Sequence, residues 1–169
     1  MKSKSKAPIE NSYMVEENRL YAGEYPRYID DAASFGKIDA FTAFGITDFI
    51  DLTGKPDRLA PYKQMLLEGV GYYNFPILDN HAPESLAYMD AIIAKIDELI
   101  GKERKVYVHC WGGVGRTGTV VACWLGHKGL TEKETFATFR KLWETYLKSY
   151  RRVFYLEQEE FIKQYIAEC

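Results

Sequence analysis

The segment HCWGGVGRTGT, residues 109–119, constrains the fold of this chain more than any other part of its sequence. Cys110 and Arg116 are separated by five residues, of which three are glycine, and we call residues 110–116 the 110–116 loop. A run typical of a β-strand, residues 105–108, precedes it, and an apolar run typical of a helix, residues 119–125, follows it. A thiol, a guanidinium and several backbone N–H groups therefore meet at a strand-to-helix turn. This combination of groups favours the binding of an oxyanion above a nucleophile.

Strand-like and helix-like segments alternate along the remaining chain, and 169 residues are enough for one hydrophobic core. This alternation predicts a single α/β domain with a central, mostly parallel mixed sheet flanked by helices on both faces. Ligands of such sheets bind beyond the carboxyl ends of the strands. We therefore expect the turns at 53–58, 77–82 and 110–116 to open on the same side. Strands are predicted over residues 19–26, 46–52, 70–76 and 105–109, and helices over residues 30–44, 59–67, 84–100, 131–143 and 154–167.

Charge and cysteine content narrow the class of protein further. The net charge of −2 provides no bulk attraction for nucleic acid or for a membrane, so neither is expected as a partner. We expect the protein to be a monomer. No apolar run is long enough to cross a bilayer, and the basic N-terminus has no apolar stretch behind it. Three cysteines at irregular spacing do not form a disulfide framework and favour a reducing compartment. We expect a cytoplasmic protein, with prior removal of a signal peptide left open.

Three other interpretations of the 110–116 loop each lack a residue that they require. The run GVGRTG, residues 113–118, also matches the dinucleotide-binding fingerprint, but that site needs an acidic residue about 20 positions later at the end of a strand. Glu132 and Glu134 fall in a helical segment instead. A nucleotide phosphate loop ends in Gly-Lys-Ser/Thr, and no lysine is present here. The scattered histidines do not assemble a zinc site with Cys110, so neither a metal nor a cofactor is expected.

Nucleophilic chemistry on a phosphate is the remaining interpretation. Glycines let the backbone curl so that its N–H groups point at phosphate oxygens. Arg116 can hold two oxygens in a bidentate fork, which lysine cannot do. The N-terminus of the following helix favours the Cys110 thiolate, and a thiolate aimed at phosphorus predicts a phosphocysteine intermediate. The residues expected to bind phosphate are Trp111, Gly112, Gly113, Val114, Gly115 and Arg116.

The segment HCWGGVGRTGT resembles the Cys-x5-Arg signature of the cysteine-dependent protein tyrosine and dual-specificity phosphatase superfamily. Gly112 stands where that family usually has alanine. The resemblance spans roughly Tyr21 to the C-terminus and implies that family's α/β fold and its phosphomonoester hydrolase activity. We therefore expect residues 1–12 to form a flexible N-terminal tail and residues 13–169 a single phosphatase-like catalytic domain.

The resemblance also implies roles outside the loop. FPILD, residues 75–79, resembles the family's acid loop, and places Asp79 as general acid and then base. A solvated or helix-capping aspartate is the alternative at that position. Thr117 would donate to the Cys110 sulfur, and His109 would orient the loop. EQEEF, residues 157–161, resembles the segment in which a glutamine positions water, which marks Gln158, although a plain surface glutamine fits equally well.

The substrate is less constrained than the chemistry. Trp111, Tyr25 and Tyr28 are candidate walls for a phosphotyrosine pocket, so a phosphorylated protein is the first expectation. The alternative is an inositol polyphosphate or another small phosphoester, as in the tyrosine-phosphatase-like phytases, and this would need extra cations around the pocket. A phosphate-binding module without catalysis is a minor third hypothesis. The candidate cations are Lys55, Arg58, Lys63, Arg151 and Arg152.

Overall fold

Five strands form one sheet in the order β1-β2-β5-β3-β4 in the computed structural model, which describes residues 6–169. The central strands β2, β5, β3 and β4 are parallel, and β1 pairs antiparallel with β2 at one edge. The mostly parallel mixed sheet expected from the sequence is confirmed. The strand bounds are β1 Ser12–Glu16, β2 Leu20–Gly23, β3 Asp48–Asp51, β4 Gly71–Asn74 and β5 Val106–His109.

Helices cover both faces of this sheet, as predicted. Four helices and one face of the sheet share a single apolar core, to which β5 contributes Val106 and Val108. Because side chains alternate along a strand, Tyr107 faces the other side, where it packs with Phe41 of the first helix. Among residues 6–169, no helix combines the length and the apolar character needed to cross a bilayer. The helix bounds are α1 Asp31–Phe44, α2 Leu86–Gly101, α3 Gly115–His127, α4 Glu132–Glu144 and α5 Leu156–Glu168.

Local signals explain where several helices begin and end. Asp30 caps α1 by accepting a hydrogen bond from the N–H of Ala33 at 2.7 Å, and Gly45 ends it with φ of 97°. Thr131 and Glu134 form the reciprocal capping box at the start of α4. These ends lie where the sequence pattern places them, because each depends on contacts within a few residues.

The helix predicted over residues 59–67 is wrong. The structure has only two short 3₁₀ turns in this region, Lys55–Asp57 and Lys63–Met65. Pro61 lacks an N–H and biases Ala60 away from helical geometry. Tyr62 is buried against the rings of Phe49 and His109, so one side chain, not a helical face, anchors the segment.

Helix α3 begins earlier than the apolar run indicates. The sequence predicts a helix from Thr119, whereas α3 starts at Gly115 and places Arg116 and Thr117 in its first turn. Glycine and threonine are weak helix formers, so propensity gave no signal there. Burial of nearly the whole helix between α2, α4 and α5 outweighs this low propensity.

The start of the chain is more ordered than a tail up to residue 12 implies, at least in its described part. Pro8 and Ser12 are buried, Ser12 begins β1, and the Asn11 amide donates to Glu24 at 3.1 Å. The edge strand β1 was missed by the sequence analysis. Residues 1–5 of the predicted tail lie outside the described residues.

Substitutions of two glycines by alanine are expected to change the free energy of unfolding in opposite directions. Gly36 is exposed on α1, and a Cβ there would meet nothing within 4 Å. We expect Gly36→Ala to raise the free energy of unfolding by about 0.5–1 kcal/mol, because alanine loses less backbone entropy in a helix. Gly23→Ala should lower it, since its Cβ would lie 2.5 Å from the Asn11 carbonyl oxygen. Urea unfolding of both variants checks this, and equal shifts would contradict the described packing around Gly23.

Candidate active site

The candidate site lies at the carboxyl ends of three neighbouring strands. Gly23 of β2 and Asp51 of β3 are both in register with His109 of β5. The 110–116 loop follows β5 directly, so it lies between the segments that leave β2 and β3. A cavity of about 910 Å³ opens here, lined in part by Cys110, Arg116 and Asp79. The structure therefore brings together the three residues predicted to carry the chemistry.

Partners outside the loop hold its carbonyl oxygens. The Cys110 carbonyl accepts a hydrogen bond from Nδ1 of His109 at 3.0 Å, and the Trp111 carbonyl accepts one from the N–H of Tyr25 at 2.9 Å. In a trans peptide the N–H points opposite to the carbonyl of the same unit, and the peptides here are trans. The N–H groups of Trp111 and Gly112 therefore turn toward the centre of the loop.

The next peptide unit is held in the same way. The Gly112 carbonyl accepts hydrogen bonds from the Tyr146 hydroxyl at 2.8 Å and from Nζ of Lys148 at 3.1 Å. The N–H of Gly113 consequently turns inward as well. Three successive N–H groups facing one point form an anion-binding concavity, and the first turn of α3 adds its own unpaired N–H groups.

Gly113 is required by both conformation and space. Its φ is 69°, in the left-handed region. A Cβ on this residue would lie 2.3 Å from the carbonyl carbon of Gly23, so the loop and the end of β2 touch backbone to backbone. The loop can curl at this position only because Gly113 has no side chain.

Arg116 is buried beneath the loop and held by a carboxylate that the sequence analysis missed. Its Nη1 and Nη2 donate to the two carboxylate oxygens of Asp57 at 3.0 and 2.7 Å, and Nη1 also donates to the Ile77 carbonyl at 3.0 Å. Burial disfavours the charge, but the hydrogen bonds that Arg116 donates to Asp57, together with the nearby Cys110 and Asp79, raise the pKa of Arg116. The buried Nε atom has no hydrogen-bond partner among the described residues. Arg116 is therefore fixed in place with its Nε–H unused.

Asp57 owes its position to the 3₁₀ turn that follows β3. Pro56 lies in the first turn, and the N–H of Gly54 donates to the Asp57 carboxylate at 2.8 Å. Burial opposes ionisation here, but the hydrogen bonds from Arg116 and Gly54 lower the pKa of Asp57 below its ordinary value. The sequence signal for it was a carboxylate in the turn at 53–58, which was already expected on this side of the sheet.

Asp79 lies at the mouth of the cavity, as its predicted role requires. Its side chain is 55% exposed, and Oδ1 lies 3.2 Å from Nη2 of Arg116. Its loop is tied to α5, because the His81 carbonyl accepts from Nε2 of Gln158 at 3.2 Å and the His81 ring pairs with Glu157 at 2.9 Å. The carboxyl group is thus accessible to a substrate while its backbone is anchored.

Thr117 lies in the first turn of α3, fully buried. Its hydroxyl has no hydrogen-bond partner among the described residues, so the predicted bond to the Cys110 sulfur is not formed in this structure. An unpaired hydroxyl in a buried site is costly. The Thr117 hydroxyl is therefore free to donate a hydrogen bond when the conformation of the 110–116 loop changes.

His109 supports the loop from a dry environment. Its Nδ1 donates to the Cys110 carbonyl, so Nε2 accepts from the Tyr62 hydroxyl at 2.5 Å. Burial lowers the pKa of His109, and the ring is neutral at pH 7. Nearby, buried Asp51 accepts hydrogen bonds from Thr53 and from the Tyr72 hydroxyl. The ring's orientation is fixed by hydrogen bonds at both nitrogens.

Comparison with known proteins now places the chain. A family model described as "PTP-SAK: Swiss Army Knife protein, DSP-PTPase phosphatase domain" matches residues 10–154. The chain belongs to this family. Its fold and its Cys-x5-Arg loop are those of a cysteine-dependent phosphatase domain of the tyrosine and dual-specificity superfamily.

Individual relatives agree with the DSP-PTPase assignment. "Putative tyrosine phosphatase 067L" of Invertebrate iridescent virus 3 is 30% identical over 119 residues, which cover 68% of this chain and 45% of that protein. Tk-PTP in its active form has a TM-score of 0.74 at 26% identity, covering 94% of this chain and 98% of its own. PTPMT1 in complex with PI(5)P shares the fold, with a TM-score of 0.72 at 16% identity over 94% and 96% of the two chains. The chain spans about half or less of the first curated relatives it matches.

Gln158 is buried, so the plain surface glutamine, the alternative to a water-positioning role, is wrong. It is fully buried and does not line the cavity. Its Oε1 accepts from the N–H of Tyr155 at 3.0 Å, and its amide would lie 3.0 Å from a Cβ on Gly115. In this structure Gln158 caps α5, supports the start of α3 and holds the acid loop through His81.

The cations near this DSP-PTPase site differ from those expected. Lys55 and Arg58 do not line the cavity, because the 53–62 segment turns behind Arg116 and not beside the loop. Nζ of Lys63 lies over the Tyr72 ring. The aromatic walls Tyr25, Tyr28 and Trp111 do line it. Six cationic side chains and two carboxylates face the cavity, namely Arg27, Lys37, Arg116, Lys148, Arg151 and Arg152 against Glu24 and Asp79. Within residues 6–169, no cluster of three or more His, Cys, Asp or Glu side chains is arranged to hold a metal ion.

The ion pair between Arg116 and Asp57 can be tested directly. We expect Asp57→Asn to lower kcat/KM for an aryl phosphate by about tenfold to a hundredfold, because a small misplacement of the phosphate-binding group has effects of that size. Lys55→Gln, two residues away and outside the cavity, is the matched control and should retain wild-type kinetics. Wild-type kinetics in Asp57→Asn would show that Arg116 does not depend on this carboxylate.

The neutral state of His109 predicts a pH dependence of stability. Since burial lowers its pKa in the folded state, the unfolded chain takes up this proton first as the pH falls. The contribution of neutral His109 to the free energy of unfolding is complete above the ordinary histidine pKa of about 6.5. It is lost as the pH falls toward the lower pKa that His109 has in the folded protein. We expect His109→Asn to lose less unfolding free energy than the wild type between about pH 7.5 and pH 5. Guanidinium unfolding at the two pH values measures this, and parallel losses in both proteins would contradict it.

Proposed function

We propose that this protein hydrolyses phosphomonoesters through a phosphocysteine intermediate formed on Cys110. The observation that carries the proposal is one cavity lined by Cys110, Arg116 and Asp79, with successive N–H groups of the loop turned toward its centre. The unused Nε donor of Arg116 supports the same reading, because the fixed guanidinium still has a hydrogen bond to give to an oxyanion.

In the first step the Cys110 thiolate attacks phosphorus, and the bond from phosphorus to the leaving oxygen breaks. Asp79 gives its proton to that oxygen, so the product leaves as an alcohol or phenol. The N–H groups and Arg116 stabilise the charge on the equatorial oxygens. In the second step Asp79 takes a proton from water as the water oxygen attacks phosphorus. The sulfur–phosphorus bond then breaks, and the Thr117 hydroxyl donates to the departing thiolate.

A phosphorylated protein side chain is the first substrate class. Tyr25, Tyr28 and Trp111 give the cavity aromatic walls, and the last two are about half exposed, at 49% and 56%. Such walls suit the ring of phosphotyrosine. The viral relative that carries the name of a tyrosine phosphatase supports this class.

A second class, inositol phosphates or other small polyanionic phosphoesters, is favoured by a different observation. Six cations line the cavity, and two of them, Arg151 and Arg152, form no ion pair among the described residues, whereas Arg27 and Arg116 pair with Asp31 and Asp57. PTPMT1, which shares the fold, has been crystallised with PI(5)P. A phosphate-binding module without catalysis is disfavoured, since Asp79 lies at the cavity beside Arg116.

All three cysteines are free, which supports the proposal of a reducing, cytoplasmic environment. Cys110 must be reduced to act as a nucleophile, so oxidation would stop turnover.

The nucleophile is tested by Cys110→Ser. We expect this variant to lose turnover of an aryl phosphate while it still binds inorganic phosphate, because the N–H groups and Arg116 remain. Steady-state kinetics in reductant without added metal, together with phosphate titration calorimetry, measure the two properties. Full activity in Cys110→Ser would refute the phosphocysteine mechanism.

The general acid is tested by the leaving group. We expect Asp79→Asn to lower kcat/KM, which reports the step in which the leaving group departs, by about 10²–10⁴-fold for an alkyl phosphate, and less for an aryl phosphate whose leaving oxygen needs no proton. Glu84→Gln, on the exposed continuation of the same loop, is the matched control. Equal losses for both substrates would assign the proton transfer to another group.

A further inference from the structure

Two cations that line the cavity approach the 110–116 loop at Gly112. A Cβ at Gly112 would lie 3.7 Å from Nη1 of Arg151 and 4.0 Å from Nζ of Lys148. A side chain at Gly112 would therefore project into the space that these two groups border. Gly112, where the related phosphatases usually have alanine, leaves this space open beside the phosphate seat.

Lys148 is fixed at this point by its neighbours. Its Nζ donates to the Gly112 carbonyl at 3.1 Å and to the Glu24 carboxylate at 3.1 Å. Glu24 also binds Lys37 at 2.8 Å and the Asn11 amide at 3.1 Å. One carboxylate is thus shared between two ammonium groups, so the positive charge around Lys148 is not neutralised.

Arg151 reaches the same point without an anionic partner. The turn that carries it is closed by its N–H, which donates to the Lys148 carbonyl at 2.9 Å, and this brings the two side chains to one side. Among the described residues no carboxylate forms an ion pair with the Arg151 guanidinium. Its neighbour Arg152 instead donates Nε to the Phe154 carbonyl at 3.1 Å. Arg151 therefore presents a charged planar donor set to the cavity, which it lines.

We propose that Arg151 and Lys148 form a second anion subsite, which binds another phosphate of the substrate while the first is seated in the 110–116 loop. The proposal rests on the phosphatase function above and extends it to a substrate class, the compact polyol polyphosphates with phosphates on adjacent carbons. The polyol is either a free inositol polyphosphate or the headgroup of a phosphoinositide, because both present the same phosphates.

Geometry favours a polyol over a doubly phosphorylated peptide. The two cations border Gly112, two residues from the nucleophile, so a phosphate bound between them would lie beside the one seated in the loop. Adjacent carbons of one ring hold phosphates in that way. In an extended peptide, neighbouring side chains point to opposite faces, and those two residues apart are separated by about 7 Å of backbone.

Binding is tested separately from turnover in the Cys110→Ser background. Calorimetric titrations with inositol hexakisphosphate and with inorganic phosphate compare Cys110→Ser alone with the same protein carrying Arg151→Gln. We expect Arg151→Gln to weaken the affinity for inositol hexakisphosphate by about tenfold to a hundredfold, the range for a hydrogen bond to a charged group. Its effect on inorganic phosphate should be several-fold smaller. Equal effects on both ligands would overturn the second subsite.

Turnover provides the matched comparison. The ratio of kcat/KM for inositol hexakisphosphate to kcat/KM for an aryl phosphate should fall about tenfold or more in Arg151→Gln. Arg140→Gln, an exposed arginine on α4 outside the cavity, should keep the wild-type ratio. An unchanged ratio in Arg151→Gln overturns the proposal. Absence of turnover with Arg151-dependent binding retained would refute the proposed hydrolysis and leave the subsite standing.

Further substrates identify the source of the phosphates. Vesicles that contain a phosphatidylinositol bisphosphate are compared with the free inositol phosphate, and Arg151-dependent turnover of either one supports the subsite and names the source. A doubly phosphorylated peptide is the substrate that tests the alternative to a polyol. If the dependence on Arg151 occurs only with this peptide, the polyol assignment is overturned.

Discussion

The site depends on the way neighbouring elements hold the outer side of the 110–116 loop. Each of the first three carbonyl oxygens of the loop accepts a hydrogen bond from outside it, from His109, from Tyr25 and from Tyr146 with Lys148. Peptide geometry then turns the following N–H groups inward. The anion-binding concavity is therefore a result of contacts made on its back. Those contacts come from β5, from the segment after β2 and from the segment after α4, so the whole sheet order is needed to form it.

A second constraint is the burial of a guanidinium under this loop. Moving an unpaired charge out of water is costly, and Arg116 is nearly inaccessible. Asp57 neutralises it with two parallel hydrogen bonds, and the Ile77 carbonyl adds a third. Such a pair contributes little net stability compared with apolar packing. Its effect is to fix the orientation of the donor that remains, which is the property a phosphate site requires.

The sequence predicted what depends on local patterns and on the loop itself. Sheet type, the positions of four of the five strands and the capping box at Thr131 follow from periodicity and short-range hydrogen bonding. Cys110 and Arg116 were predicted because their spacing has a chemical meaning, and Asp79 was predicted from the resemblance of FPILD to the family's acid loop. Asp57 was missed because its role depends on a contact 59 residues away along the chain. Lys55 and Arg58 were placed near the cavity because they follow a strand end, but Pro56 and Pro61 redirect that segment behind Arg116. The surface alternative for Gln158 was wrong, since no local pattern reveals that its amide joins α5 to the acid loop.

The backbone contact between Gly23 and Gly113 has a consequence for how this molecule opens. Because no side chain separates them, the end of β2 and the curl of the loop are packed as one surface. The loop cannot distort outward without displacing β2, and β2 cannot leave β5 without removing the wall behind the loop. Local unfolding of the edge pair β1–β2 and disassembly of the anion site should therefore belong to one cooperative unit. We therefore expect fraying of the sheet edge nearest the N-terminus to disturb the loop that carries Cys110.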